Sequence, residues 1–510
     1  MTYLIGTDIG TMGTKTVLVD TEGKIYAESF QEYGVITLKQ GWAEQWPDPW
    51  TMASYNTIKQ VIKKSEIDPK EIAGISISAL YGGSGIPVDK KQEPIRPCLI
   101  WADRRAVKEC AWVREKIGEE ELYRITGNII DPYYGYTKIL WIKNNEPENW
   151  AKIHRLETPN AYVIRKLTKN ESIDYSSAGN IGGIFNLEKR NWSHELMEEL
   201  GIPREFFPEK IIKSEEIVGE TTTETSEKTG LPKGTPVCAG GIDAPVSALA
   251  GGAIFDGDLA SMLGTSMCNG IITSEKHISP KMINYPYVVS GEKTLYSFTG
   301  ISTAGFCVRW FRDQFGRQEI DEQQKTGISA YKLLDQLAEK TPIGSDDLIF
   351  LPHMMVGERA PYWDENIRGG FLGTTIYHTR SHMFRAILEG VAYAMRYSID
   401  AARDTGIRIN RATLVDGGAS SSLWRQIIAD VTEITFNFIP ETLGAPMGDA
   451  ILAGLGTGEI NNYNVIEEWI RKKIPTKPIQ ENVDKYKRYY QRYIEAMKTL
   501  SQYFSTQFTN

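Results

Sequence analysis

Two glycine-and-hydroxyl turns stand half a chain apart in this 510-residue sequence, each set between strand patterns. The first is Gly10-Thr11-Met12-Gly13, between 3–9 (YLIGTDI) and 15–20. The second is Gly264-Thr265-Ser266, between 258–263 and 268–273. A third strand pattern follows each pair, at 24–31 and at 293–298. One repeat of half-chain period predicts two related domains facing each other, not a stack of short units. Helical patterns at 48–65, 105–117, 138–145 and 160–167, with a strand pattern at 71–79, predict an α/β fold. The halves are expected to join at 235–253. There a strand at 235–239 meets Gly240-Gly241, Asp243 and an alanine-rich helix, with no Pro- or Ser-rich linker.

Composition narrows the chemistry. A net charge of −8 lacks the basic face of a nucleic-acid binder. Hydrophobic and charged fractions of 41% and 24% are those of a globular enzyme. No apolar run reaches the roughly 18 residues of a membrane helix. The opening MTYLIGTDIG has no basic n-region, so no signal peptide is expected. Five scattered cysteines without a CxxC pair predict a reduced, zinc-free, cytoplasmic protein. His378 and His382 have i,i+4 spacing but no acidic neighbours, and are expected to form a surface pair. The closing KYKRYYQRYIEAMKTLSQYF predicts a terminal helix packing its Tyr and Phe residues on the body.

Several common motifs are approached and missed. Residues 10–16 resemble a P-loop, but Thr14 stands where glycine must precede the lysine, and the segment joins two strands. Gly82-Gly83-Ser84-Gly85 lacks the last glycine of a serine nucleophile elbow. What remains is the pair of turns. Such turns aim backbone N–H groups and hydroxyls at one point, which suits phosphate oxygens. Asp8 beside the first turn suits Mg²⁺ as a hard oxygen ligand, and Lys15 adds a cation. A third glycine turn, Asp416-Gly417-Gly418-Ala419-Ser420, lies between a strand at 412–415 and a helix at 423–431. Its glycines would let a flat adenosine approach the backbone.

These segments, in this order, resemble the FGGY family of carbohydrate kinases. The resemblance runs from DIGTMGTK at Asp8 through GWAEQWPDPW at Gly41, LIWADRRA at Leu99 and IDPYYGYTKILW at Ile130. It continues through AGGIDAPVSALAGG at Ala239, LGTSM at Leu263, STAGFCVRWFRD at Ser302 and GERAPYWDENIRGGFLG at Gly357. AILEGVAYAM at Ala386, VDGGASSSLWRQIIAD at Val415 and LGAPMGDAILAG at Leu443 complete it. Two positions depart from the family signatures: Thr137 directly precedes Lys138, and Thr374 replaces an aliphatic residue.

The resemblance implies two duplicated actin-like, ribonuclease H-like ATPase domains, 1–246 and 247–510, with the active site in the cleft between them. It implies Asp243 as catalytic base and a substrate contact. It implies Gly10, Thr11, Thr14 and Lys15 at the phosphates, with Asp8 at Mg²⁺. Gly264, Thr265, Ser266, Gly305, Gly417, Gly418 and Ala419 would contact ATP. Leu80, Tyr81, Asp103 and Tyr133 would lie on the substrate side. From the residues alone, Asp243 also reads as a helix cap, Asp103 as a helix start, and Tyr133 as a wall residue.

Substrate identity is less marked. Xylulose kinases carry Gln-Met-His after the strand in the 70s, and glycerol kinases Arg-Glu. Here the segment is Ser78-Ala79-Leu80-Tyr81-Gly82-Gly83-Ser84. Gly82 and Gly83 are expected to leave room for a sugar, and Tyr81 to stack on it or pack. A ketopentose such as D-xylulose is the expected substrate. Another ketose, a polyol such as glycerol or erythritol, or a sugar acid such as gluconate is the alternative. A chaperone- or actin-like ATPase switch is the alternative of a different class. A homodimer is a conceivable assembly.

Overall fold

The structure is a computed structural model, and it describes residues 1–440 and 444–507. The last family-like segment is therefore described from Gly444, its first residue Leu443 lying outside those residues.

The first half is built on a seven-stranded sheet. Its leading strands are β1 (Tyr3–Ile9), β2 (Gly13–Asp20) and β3 (Ile25–Glu32), an antiparallel meander. Helix α1 (Pro47–Ser65) leads to β4 (Ile72–Ala79), which runs parallel beside β1. Helix α2 (Gly135–Asn145) follows in the intervening segment. Then β5 (Ile217–Glu220), β6 (Pro236–Cys238) and β7 (Gly241–Ile242) complete the order β5-β6-β4-β1-β2-β3, with β7 also on β4. All of β1 except Asp8 is buried. A strand buried on both faces needs cover on both. On one face α1 supplies it, and the buried hydroxyls of Thr7, Thr16 and Thr57 satisfy one another there at 3.0 and 2.7 Å.

Helix α3 (Asp243–Ala250) leads into a second seven-stranded sheet of matching topology. Its strands are β8 (Asp258–Leu263), β9 (Met267–Thr273), β10 (Ile283–Pro286) and β11 (Leu295–Ile301). Helices α4 (Gly305–Phe315) and α5 (Arg380–Arg403) precede β12 (Arg411–Val415). Helix α6 (Ser422–Thr432) and β13 (Phe436–Phe438) follow. Again three strands are antiparallel (β8, β9, β11) and a fourth, β12, is parallel to the first. The third strand begins two residues later than its pattern suggests and runs to Ile301, carried by a full ladder with β9.

The second face of the first sheet is covered from far along the chain. Helix α7 (Ala445–Thr457) lies across β1 and β4. The approach is so close at Gly6 that a Cβ there would stand 1.8 Å from the Pro446 carbonyl oxygen. Helices α3 and α7 also pack on each other, so one apolar core takes in Leu4 of β1, Val246 of α3 and Ala450 of α7. Residue 246, the boundary expected from sequence, lies inside α3. The chain ends through β14 (Ile474–Thr476) and helix α8 (Gln480–Gln507). Tyr486 and Tyr493 of α8 are buried, and the Tyr486 hydroxyl donates to Glu389 at 3.0 Å. His378 and His382 accept from the Thr375 and Thr379 N–H groups, and against the sequence reading His382 does have an acidic neighbour, Asp346 at 3.0 Å from its Nε2, though no metal-binding group of three is present among the described residues.

Candidate active site

The first turn is held by its own backbone and by Tyr33. The Gly10 N–H donates to the Gly13 carbonyl at 3.0 Å, and the Tyr33 hydroxyl donates to the Gly10 carbonyl at 2.8 Å. Thr14 is fully buried with its hydroxyl 3.2 Å from that of Tyr33, so its side chain braces the turn instead of facing the cleft. Thr11 remains partly open, and its hydroxyl accepts from the Trp101 indole N–H at 3.0 Å.

Below the turn, Gly241, Ser78, Asp8 and Lys15 are successive cross-strand partners on β7, β4, β1 and β2. Lys15 also pairs with Glu28 at 3.5 Å. The Ser78 hydroxyl lies 3.2 Å from Asp8 and 2.6 Å from Asp449 of α7. Asp449 further accepts from the Ser76 hydroxyl at 3.0 Å and the Ser78 N–H at 3.1 Å. Burial holds the Asp449 carboxyl well above the usual carboxylate range.

Asp243 opens α3 at the end of β7. The preceding Gly240 has φ +64°, and a Cβ there would stand 1.9 Å from the Ile77 carbonyl oxygen, so only glycine lets the chain pass β4 this closely. One Asp243 oxygen accepts from the Ala244 N–H at 2.7 Å. Its side chain is half-buried and carries no other protein hydrogen bond among the described residues. Burial raises its pKa to about 6, against the pull of that N–H and of the Arg359 guanidinium. Burial, and next the Asp243 charge, push Asp8 up as well, while Ser78 and Lys15 pull it down.

Three segments of the second half converge. The N–H groups of Ala304 and Phe306 donate to the Thr265 carbonyl, and that of Gly305 to Gly264, at 2.9–3.1 Å. A Cβ at Gly418 would stand 2.7 Å from Leu263, so the 416–420 turn packs on the end of β8. Gly417 is exposed with open space on its Cβ side. Thr265 is exposed, whereas Ala419 is fully buried.

The substrate side differs from expectation. A Cβ at Gly82 would meet Trp101 at 3.0 Å and the Tyr133 ring at 3.1 Å, and one at Gly83 the Leu99 carbonyl at 2.4 Å. These glycines therefore admit close packing of neighbours and leave no free space. Leu80 and Tyr81 are buried in core. Asp103 is fully buried: its oxygens accept from the Ala43 N–H at 2.7 Å and from Arg105. That network binds the loop of Trp42 to the 100s segment and offers the cleft no free oxygen. Tyr133 has its hydroxyl 3.4 Å from Asn180 and its ring under Arg359. Lys138 is fully buried and donates to the carbonyls of Gly82 and Tyr133, and burial lowers its pKa to about 7.

The model for the N-terminal domain of FGGY carbohydrate kinases matches residues 3–250, and that for the C-terminal domain matches 259–457. The chain belongs to the FGGY family of carbohydrate kinases. It is 31% identical to a xylulose kinase of Bacillus subtilis over 97% of this chain and 96% of that one. It is 30% identical to a gluconokinase of the same organism over 99% and 97%. Among solved structures, a ligand-bound xylulose kinase from Lactobacillus acidophilus superposes with a TM-score of 0.90 at 26% identity, over 99% and 100% of the two chains. The kinase is thus a sugar phosphotransferase with the two-domain α/β fold of its family. Family membership sets aside the ATPase-switch alternative. The residues not singled out from sequence are Ser78, Trp101, Arg359 and Asp449. The last three sit inside the family-like segments, which was the signal available for them.

Proposed function

We propose that this kinase transfers the γ-phosphoryl group of ATP to a hydroxyl of a ketopentose such as D-xylulose, with Asp243 as general base. The observation that carries the reading is the half-buried Asp243 carboxylate, which keeps an oxygen without a hydrogen-bond partner among the described residues, within electrostatic reach of Asp8. A carboxylate with pKa about 6 is ionised at neutral pH and still basic enough to accept a hydroxyl proton as its oxygen attacks. The Thr11 hydroxyl, Lys15 and the turn at Gly264-Thr265-Ser266 would grip the phosphates, and the segments at Gly305 and Gly417-Gly418 would border the nucleotide.

The Asp243 charge acts on Asp8, with Lys15 compensating Asp8 and Arg359 compensating Asp243, and a pair of interacting carboxylates is a donor set that fits a hard divalent cation. Mg²⁺ held by Asp8 would neutralise charge on the phosphates. A cytoplasmic location suits a phosphotransferase of this kind, and no described helix is long and apolar enough to cross a membrane.

The second reading is a sugar acid, favoured by the gluconokinase relative at nearly equal identity. A panel of ketoses, polyols and aldonates in an ADP-release assay separates the two. D-xylulose is expected to give the highest kcat/KM. A gluconate or polyol optimum would replace the ketopentose reading, and ADP release indifferent to every sugar would remove both.

A further inference from the structure

Arg359 enters the cleft from the second half on a firmly held segment. Glu358 beside it accepts from the Ser302 N–H at 3.0 Å and hydroxyl at 2.9 Å, and faces His353 at 3.3 Å. The Gly300 N–H donates to the Ala360 carbonyl at 3.0 Å, which pins the segment to β11. The side chain then crosses to the first half. Its guanidinium carbon lies 5.0 Å from the ring centre of Trp101, 5.2 Å from Phe298 and 5.7 Å from Tyr133.

The arginines of the 96–105 segment, next to Trp101, are tied to carboxylates: Arg104 to Asp131, Arg105 to Asp103 and Glu44, Arg96 to Glu44 and Glu146. Arg359 is not. Its polar side-chain contact among the described residues is the Cys268 sulfur, at 4.0 Å from Nη2. Aromatic faces stabilise a guanidinium and fix its plane, but they accept little hydrogen bonding from its five N–H groups. A partly buried cation with idle donors is costly unless a ligand supplies the acceptors. The segment's bonds to β11 mean that the donors are already aimed. The guanidinium reaches the Trp101 ring, whose indole N–H bonds to Thr11 of the first turn, and its charge acts on Asp243.

We propose that Arg359 binds the acceptor sugar directly, donating from its guanidinium to sugar oxygens while Asp243 faces the reacting hydroxyl. This rests on the reading that the cleft at Asp243 takes a sugar. The planar fork suits paired oxygens, whether vicinal hydroxyls or a carboxylate, and lysine reproduces its charge but not its fork or stacking.

The test is steady-state kinetics of Arg359→Gln and Arg359→Lys with the best sugar of the panel, beside their thermal midpoints. In Arg359→Gln the sugar KM should rise about tenfold or more, as loss of a charged hydrogen-bond donor predicts, with the ATP KM nearly unchanged. Arg359→Lys should fall between, and it supplies the same split should the glutamine variant not fold. An unchanged sugar KM in either folded variant, or an equal rise in the ATP KM, overturns the proposal while leaving the kinase reading intact. A wild-type enzyme that phosphorylates no sugar would remove the kinase reading and this inference together.

Discussion

At the residue scale the cleft is a problem in placing negative charge. Asp243 differs from two other carboxylates, Asp449 and Asp103, in what it lacks. Asp449 accepts from two serine side chains and an N–H, and Asp103 from an arginine and two N–H groups. Asp243 keeps an oxygen unclaimed among the described residues. Asp243→Asn should lower kcat by ~10²–10⁴-fold, the usual worth of a general base, while calorimetry finds ATP-analogue affinity preserved. Retention of most of the activity would make Asp243 a structural residue. The pH profile adds an independent check. Burial raises the carboxyl above its ordinary value, so the proton is lost and the base becomes competent as pH rises through about 6. kcat/KM for the sugar should therefore have an acid limb with its midpoint near 6. A midpoint near the ordinary carboxylate value of about 4 would point to a solvated base elsewhere.

Elements turn these residues into a site, and at this scale the limits of sequence reasoning are visible. The β-meander, with Asp8 near the end of its first strand, and the turn after that strand were legible, because strand alternation and the glycines that break it are local. The carboxylate network beneath that turn was not. Ser76 and Asp449 stand 373 residues apart in sequence, and no pattern near either marks the contact. Gly82 and Gly83 read as space, whereas glycine also serves where neighbouring chains press close. The Trp101–Thr11 bond changes what a turn mutation should do. Under the proposed function Thr11→Val removes a hydroxyl that would meet phosphate, and it also breaks the bond that holds the Trp101 indole. kcat should fall, and the sugar KM should rise modestly, not stay fixed, when both are measured in the ADP-release assay. The helix contact is open to a stability test. Gly6→Ala would drive a methyl against the Pro446 carbonyl, and overpacking of this kind costs about 1–3 kcal/mol. Scanning calorimetry should find a lower melting temperature, and an unchanged one would mean that α7 yields freely.

For the whole molecule, two sheets of the same topology meet through α3 and α7, with one glycine-and-hydroxyl turn in each half. Closure on sugar and nucleotide would exclude water that competes with the sugar for the phosphoryl group. Solution scattering should record a smaller radius of gyration with the best sugar and a nonhydrolysable ATP analogue, and an unchanged radius at saturation would argue for a rigid cleft. The late return of α7 also sets an order on synthesis. The face of β1 and β4 that it covers, including Leu4 and Gly74, has no lid until the ribosome has made residue Thr457. The first half is thus translated early and finished late, and it emerges as a nascent chain with an open apolar flank that invites chaperone capture. Two halves that look like copies in their strand order are in this sense a single folding unit, and a gene split at the duplication seam would leave its first product sticky and incomplete.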